Sequence, residues 1–333
     1  MIVAALAMMI ASACGGSSAS SARPAVGAAE RVRWGGALVD LVPRDATVVV
    51  IARPEEMLRE GAARAVLEAI APDEHLERYR QHTGIDPRRI EELVWAESRA
   101  GSLLLVRGPF SAPLAVAEMG HRMLPIESSS EAPFVRRAGH YQGARRDLVA
   151  LADHVLAVIS GSPELAEDVL GRARHGEAGG ALGAEPAASL LMAHRSSPLV
   201  VVAPQPLGLP PGSGVALLLA RERAMLVAGT PRGERDIGLV AELRGEFPPG
   251  ADENFRALFA SLASSDLGVA IGMPAALETF TVDADAEHVV LRATIPAGTL
   301  AAALRVLFEA EITELVEGTP EHGGAPTSAL TAP

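Results

Sequence analysis

From Leu41 onward, short apolar runs rich in β-branched residues take turns with stretches that are apolar on one side only. Val48–Ala52 (VVVIA) has the length and composition of a buried strand. Proline at 54 suits a first helical turn, and Glu55 and Glu56 complement its dipole. Met57, Leu58, Ala62, Ala65, Val66 and Ile70 then fall on one face of a helix. The same strand, proline, helix phrase returns at Val155–Ile159 with Pro163, and at Leu267–Ile271 with Pro274. The three prolines recur at nearly equal intervals, which hints at an internal duplication. Val289–Ile295 reads as a further strand, running through Pro296 into a helix. That helix carries an apolar stripe of Leu300, Leu304, Leu307, Phe308, Ile312, Leu315 and Val316.

Two pairs of runs read as hairpins. GVALLLA and AMLVAGT flank Arg221-Glu222-Arg223, and TFTVDA and HVVLRATI flank Asp285-Ala286-Glu287. Hairpins mixed with helices indicate an α+β fold: antiparallel sheets packed by amphipathic helices, in two similar halves. The Gly/Ala-rich stretch 174–186 divides the body, and a helix to His194 and a strand at Leu199–Val202 follow it. The halves are expected at 41–175 and 187–317, with a disordered tail at 318–333.

The N-terminus has a different texture. Residues 2–13 (IVAALAMMIASA) are uncharged, too few to cross a bilayer, which takes about 20 residues, and long enough for a signal-peptide core. They end in Ala11-Ser12-Ala13-Cys14-Gly15, and Cys14 is the only cysteine. Small residues before a cysteine, directly after such a core, resemble the lipobox of bacterial lipoproteins. The resemblance implies a diacylglyceryl group on the Cys14 thiol and cleavage before it. On that reading residues 1–13 are the signal peptide, and 14–40, Gly/Ser/Ala-rich at their start, form a flexible tether. Ala11 stands where the family prefers Leu. Ordinary cleavage after Ala11-Ser12-Ala13 is one alternative, and a first helix of a cytosolic fold is another. Gly15 occupies the position where an inner-membrane retention signal places Asp, which points to the outer membrane by the same resemblance. The lipobox, VPRDATVVVIARP and ALADHVLAVISGSPELAEDVL together resemble uncharacterised lipoproteins of GC-rich, myxobacteria-like genomes. That likeness implies no particular activity or ligand.

Composition narrows the chemistry. The net charge of -12 repels nucleic acids, so none is expected as a partner. The chain has no lysine, and all 29 basic residues are arginine. Schiff-base chemistry, lysine general bases and the P-loop lysine are therefore excluded. Aromatics make up only 3%, which argues against stacking platforms for bases or sugars.

Each candidate site has a structural counterpart. Ser162 could display a nucleophile at a strand-to-helix turn, but it is better read as the cap of the helix that starts at Pro163. His75 and His82 lie about two helical turns apart, too far for one metal. Asp283, Asp285 and Glu287 could offer oxygens to calcium, but they lack the glycine and distal glutamate of an EF-hand loop and read as a polar hairpin end. Arg136, Arg137, Arg145 and Arg146 bracket Gly139–Gly143. Paired as a hairpin, they would cluster and could hold a carboxylate or phosphate. The counterpart is a charged strand face that discourages edge pairing. No cofactor and no metal are expected. The leading expectation is a non-catalytic, membrane-tethered binding or assembly module facing the periplasm, with an envelope protein as a candidate partner. A hydrolase with a spatially assembled site and a small-anion receptor built on the arginines are the alternatives.

Overall fold

The computed structural model describes residues 34–126, 134–141, 144–176, 180–207, 219, 221–270 and 272–307. Cys14, the signal, most of the tether and the tail lie outside them. The fold is α+β. Its centre is one twelve-stranded antiparallel sheet: β1 (Val48–Ala52), β2 (Glu92–Ser98), β3 (Gly101–Arg107), β4 (Leu124–Ile126), β5 (Val135–Tyr141), β6 (Ala144–Ala152), β7 (Val155–Gly161), β8 (Leu199–Ala203), β9 (Glu222–Arg232), β10 (Asp236–Gly245), β11 (Thr281–Ala284) and β12 (His288–Pro296). The spatial order is β11-β12-β10-β9-β8-β1-β2-β3-β7-β6-β5-β4. The two halves are thus joined edge to edge by the β1–β8 pairing, with Val50 opposite Val201.

Helices cover both faces, which is why central strands such as β1 read as continuous apolar runs and do not alternate. The helices are α1 (Pro54–Met57), α2 (Gly61–Ile70), α3 (Asp73–Thr83), α4 (Ala112–Met119), α5 (Pro163–His175), α6 (Ala187–Ala193), α7 (Ala251–Ser264), α8 (Asp266–Ala270), α9 (Met273–Leu277) and α10 (Ala297–Leu307). On one face Leu165, Val169 and Leu170 of α5 and Leu190 of α6 pack with Val49, Ala96, Leu103, Ile159, Val202 and Leu226 of the sheet. On the other, Leu76 and Tyr79 of α3 and Ala115 and Val116 of α4 meet Leu93, Leu104, Val106 and Leu148. Still on that second face, α2 and α10 enclose Ile237, and Phe255 of α7 packs on Leu243 and Val289.

Local chemistry sets the element ends. The Ser162 hydroxyl accepts from the Leu165 N–H, and Pro163 follows at the first helical position. Gly101 and Gly161 face each other across β3–β7 at φ 136° and 134°. A Cβ on Gly101 would collide with the Ser160 carbonyl oxygen, and one on Gly161 with that of Ala100.

Several sequence expectations change. The face expected over Met57–Ile70 is divided between α1 and α2. Leu267–Ile271 is not a strand: residues 266–270 form α8, and Ile271 lies outside the described residues. A short apolar run has no decisive period, and here the Ser265 hydroxyl accepts from the Gly268 N–H and starts a helical turn. The third phrase therefore lacks its strand, although Pro274 still opens a helix, α9. AMLVAGT lies in β9, which pairs with β8 and β10; apart from Leu219, its expected partner GVALLLA lies outside the described residues. The hairpin β11–β12 forms as expected. The halves share a strand order outward from the centre, but α5 and α10, which occupy equivalent places in the chain, pack on opposite faces. Among the described residues no helix is long and apolar enough to cross a membrane.

Candidate functional site

The arginine-rich segments do pair. In the β5–β6 hairpin Arg137 stands opposite Leu148, Gly139 opposite Arg146 and His140 opposite Arg145. The four arginines do not form one cluster, because neighbouring residues of a strand point to opposite faces. Arg136 and Arg145 share the α5 face, and Arg137 and Arg146 share the other. Arg137 donates from Nη1 to the Gly120 carbonyl oxygen at 2.9 Å, closing the end of α4. Arg146 Nε lies 3.3 Å from the Ser160 hydroxyl on the neighbouring strand.

Arg136 and Arg145 meet on a residue that the sequence reading did not single out. Asp147 lies on the same face of β6, its side chain only 2% exposed. Arg136 Nε donates to Oδ1 at 2.9 Å, and Arg145 Nε donates to Oδ2 at 2.9 Å. Arg136 also reaches Glu167 of α5 through Nη1 at 2.8 Å. The hydrogen bond that Arg145 donates to Asp147 holds its guanidinium still more firmly in the charged form. Two cations here face two anions, so the donors that would grip a phosphate are engaged inside the fold. The signal for Asp147 was present in the sequence: it stands two residues after Arg145, hence on the same strand face.

A second constellation went unread. Glu242, in the middle of β10, has His194 Nε2 at 2.8 Å from Oε1 and His288 Nε2 at 3.2 Å from Oε2. His194 caps the C-terminus of α6, and His288 opens β12. A carboxylate can only accept, so each imidazole presents its proton on Nε2. Burial works to raise the Glu242 carboxyl, but the hydrogen bonds from His194 and His288 outweigh it and hold it below the usual range. Each imidazole takes its own oxygen, and among the described residues no trio of His, Cys, Asp or Glu converges as a metal ion requires.

The remaining candidates have structural roles. Asp285 accepts from the Glu287 and His288 N–H groups at 2.8 Å each, which makes it the fastener of the β11–β12 turn and draws its carboxyl downward. His75 sits 3.4 Å from the adjacent Glu74 of α3, and His82 is exposed. A shallow dent of about 210 Å³ lies at Phe247–Asp252 and Ala284–Ala286, and its charged lining residues are Asp252 and Asp285.

No family model matches the chain, and no curated relative does. Two solved structures are similar, crystal forms IV and III of TP0453. They are 14% and 12% identical, each at a TM-score of 0.46, over 80% of this chain and 95% and 97% of theirs.

Proposed function

We propose that the chain is an exported envelope lipoprotein, held at a membrane through Cys14, whose α+β body serves as a non-catalytic binding or assembly module facing the periplasm. The observation that carries this reading is the twelve-residue uncharged run ending in Ala11-Ser12-Ala13, directly before Cys14. A run of that length delivers a chain to export without spanning the bilayer. The thiol directly after it is the group that an acylating enzyme would use. A Gly/Ser/Ala-rich tether behind the anchor would give the body reach and rotational freedom. Gly15 after the cysteine favours the outer membrane. Engagement of the Ser162 hydroxyl as a helix cap, and of Arg136 and Arg145 with Asp147 and Glu167, supports a body without a displayed nucleophile or an open anion site.

The test is fractionation and intact mass of the native chain against Cys14→Ala. The wild type should be found with membranes, begin at residue 14 and carry the added mass of its acyl groups. C14A should be released to the soluble envelope fraction. A native chain with an unmodified Cys14 and residues 1–13 still attached overturns the anchor. Turnover of an ester, peptide or glycoside panel by the purified body overturns the non-catalytic assignment.

A further inference from the structure

A chain without lysine has an unusual division of labour among its cations. Arginine stays charged at every pH a cell meets, so only the histidines can change a salt bridge between pH 5 and 8. Among the described residues, three histidine–carboxylate pairs occur. His75 with Glu74 joins neighbours within one helix. The other two share Glu242 and tie separate parts of the fold together.

His194 stands at the end of α6, the helix on the segment that links the two halves of the sheet. Glu242 and His288 belong to the neighbouring strands β10 and β12. All three side chains are largely sheltered, at 15%, 14% and 23% exposure. From this arrangement we infer that His194, Glu242 and His288 form a pH-responsive clasp, which locks the linking helix onto the second half of the sheet as the pH falls from neutral to mildly acidic. The inference stands independently of the lipid anchor.

The mechanism is electrostatic. At neutral pH two uncharged N–H donors meet one carboxylate. Protonation turns both into cations on either side of that anion, with the hydrogen bonds already in place. The other charges facing the cluster are few. On the same strand face Arg244 stands opposite His288, and Asp285 at the β11–β12 turn lies close to both. Arg292 on β12 and Asp283 on β11 lie farther along the same face, and Arg195 follows His194 in the chain. Toward β9 the neighbours of Glu242 are apolar, Leu226 being directly opposite.

Amide hydrogen exchange of the full chain tests the clasp. After correction for the intrinsic pH effect, protection across Ala187–Ala193 should rise from pH 7.5 to 5.5 by about threefold, as for a partly exposed ion pair. Glu242→Gln should flatten the response. His194→Gln, which keeps the strands' own contacts and serves if E242Q folds poorly, should remove the larger part of it. His288→Gln should leave the response in place, because its bond to Glu242 lies within the sheet and does not break when α6 lifts. Unchanged protection in the wild type, or a full response in E242Q or H194Q, overturns the inference.

Discussion

Asp147 and Glu242 stand on the same face of one sheet, each between two basic side chains, yet they are built for different tasks. Asp147 is almost fully enclosed and its partners are arginines, of which Arg136 is 11% exposed. Glu242 is more accessible and its partners are histidines. The first site fastens the outer hairpin β5–β6 to α5 through arginines, which stay charged between pH 5 and 8. The second fastens α6 to β10 and β12 through histidines, the side chains whose charge can change in that window. An anion held by arginine is a fixed rivet, whereas an anion held by histidine is a joint whose strength depends on the medium. In a chain without lysine the choice between those two residues decides where pH can act.

The largest effect expected from breaking the comparison is at Asp147. Asp147→Ala leaves two guanidinium groups sheltered and without their shared counter-ion. Urea unfolding should show a loss of about 3 kcal/mol, the range for removing one partner of a buried pair. The loss should be the same at pH 8 and at pH 5.5, because neither arginine changes charge between them. A loss that grows or shrinks by more than experimental error across that window would erase the distinction between the two sites.

Glu242→Gln should cost less, about 1–2 kcal/mol at pH 6, because its partners are uncharged over part of the range and water reaches them. Its pH profile carries the information. Glu242 is held below the ordinary glutamate range in the folded chain, so its contribution is present above the unfolded value of 4.5 and is lost as the pH drops through the depressed folded one. The histidine pairing works in the other direction and strengthens as the pH falls toward 5.5. The difference between wild type and E242Q should therefore pass through a maximum in mildly acidic solution. A flat difference from pH 8 to 4 would make Glu242 a second fixed rivet.

Within the arginine site the two cations are unequal. Arg136 is the more sheltered and adds the bond to Glu167, while Arg145 is 34% exposed. Arg136→Ala should cost about 1 kcal/mol more than Arg145→Ala, given how little solvent-exposed pairs contribute. A double-mutant cycle with D147A separates each coupling from the loss of packing.

How much of this was legible follows from sequence distance. β7, its Ser162 cap and α5 are consecutive in the chain, so period and capping chemistry revealed them. The β5–β6 hairpin was visible in its paired arginines, but a count of charges without the alternation of strand faces suggested one cluster where the fold makes two pairs. Glu242 and its histidines are separated by 48 and 46 residues and belong to three elements, so no local pattern joins them. The five residues of α8 misled for the opposite reason. Asp266–Ala270 is too short to display a period, and the Ser265 hydroxyl decided the matter.

Glu222 completes the series as a carboxylate with no cation paired with it among the described residues. It is 3% exposed, its Oε1 accepts from the Leu207 N–H at 2.6 Å, and its Oε2 has no hydrogen-bond partner. Burial pushes its carboxyl up, against the pull of that one backbone bond. A raised folded value means that Glu222 favours the fold at low pH and opposes it once the pH rises through that value. Glu222→Gln keeps the shape and the acceptor for Leu207 while removing the charge. It should raise the melting temperature slightly at pH 8, by less than about 1 kcal/mol in stability, and leave it unchanged at pH 4, where the native carboxyl is already neutral. Destabilisation by E222Q at pH 8 would mean that a cation does reach this carboxylate, and would move Glu222 into the class of Asp147.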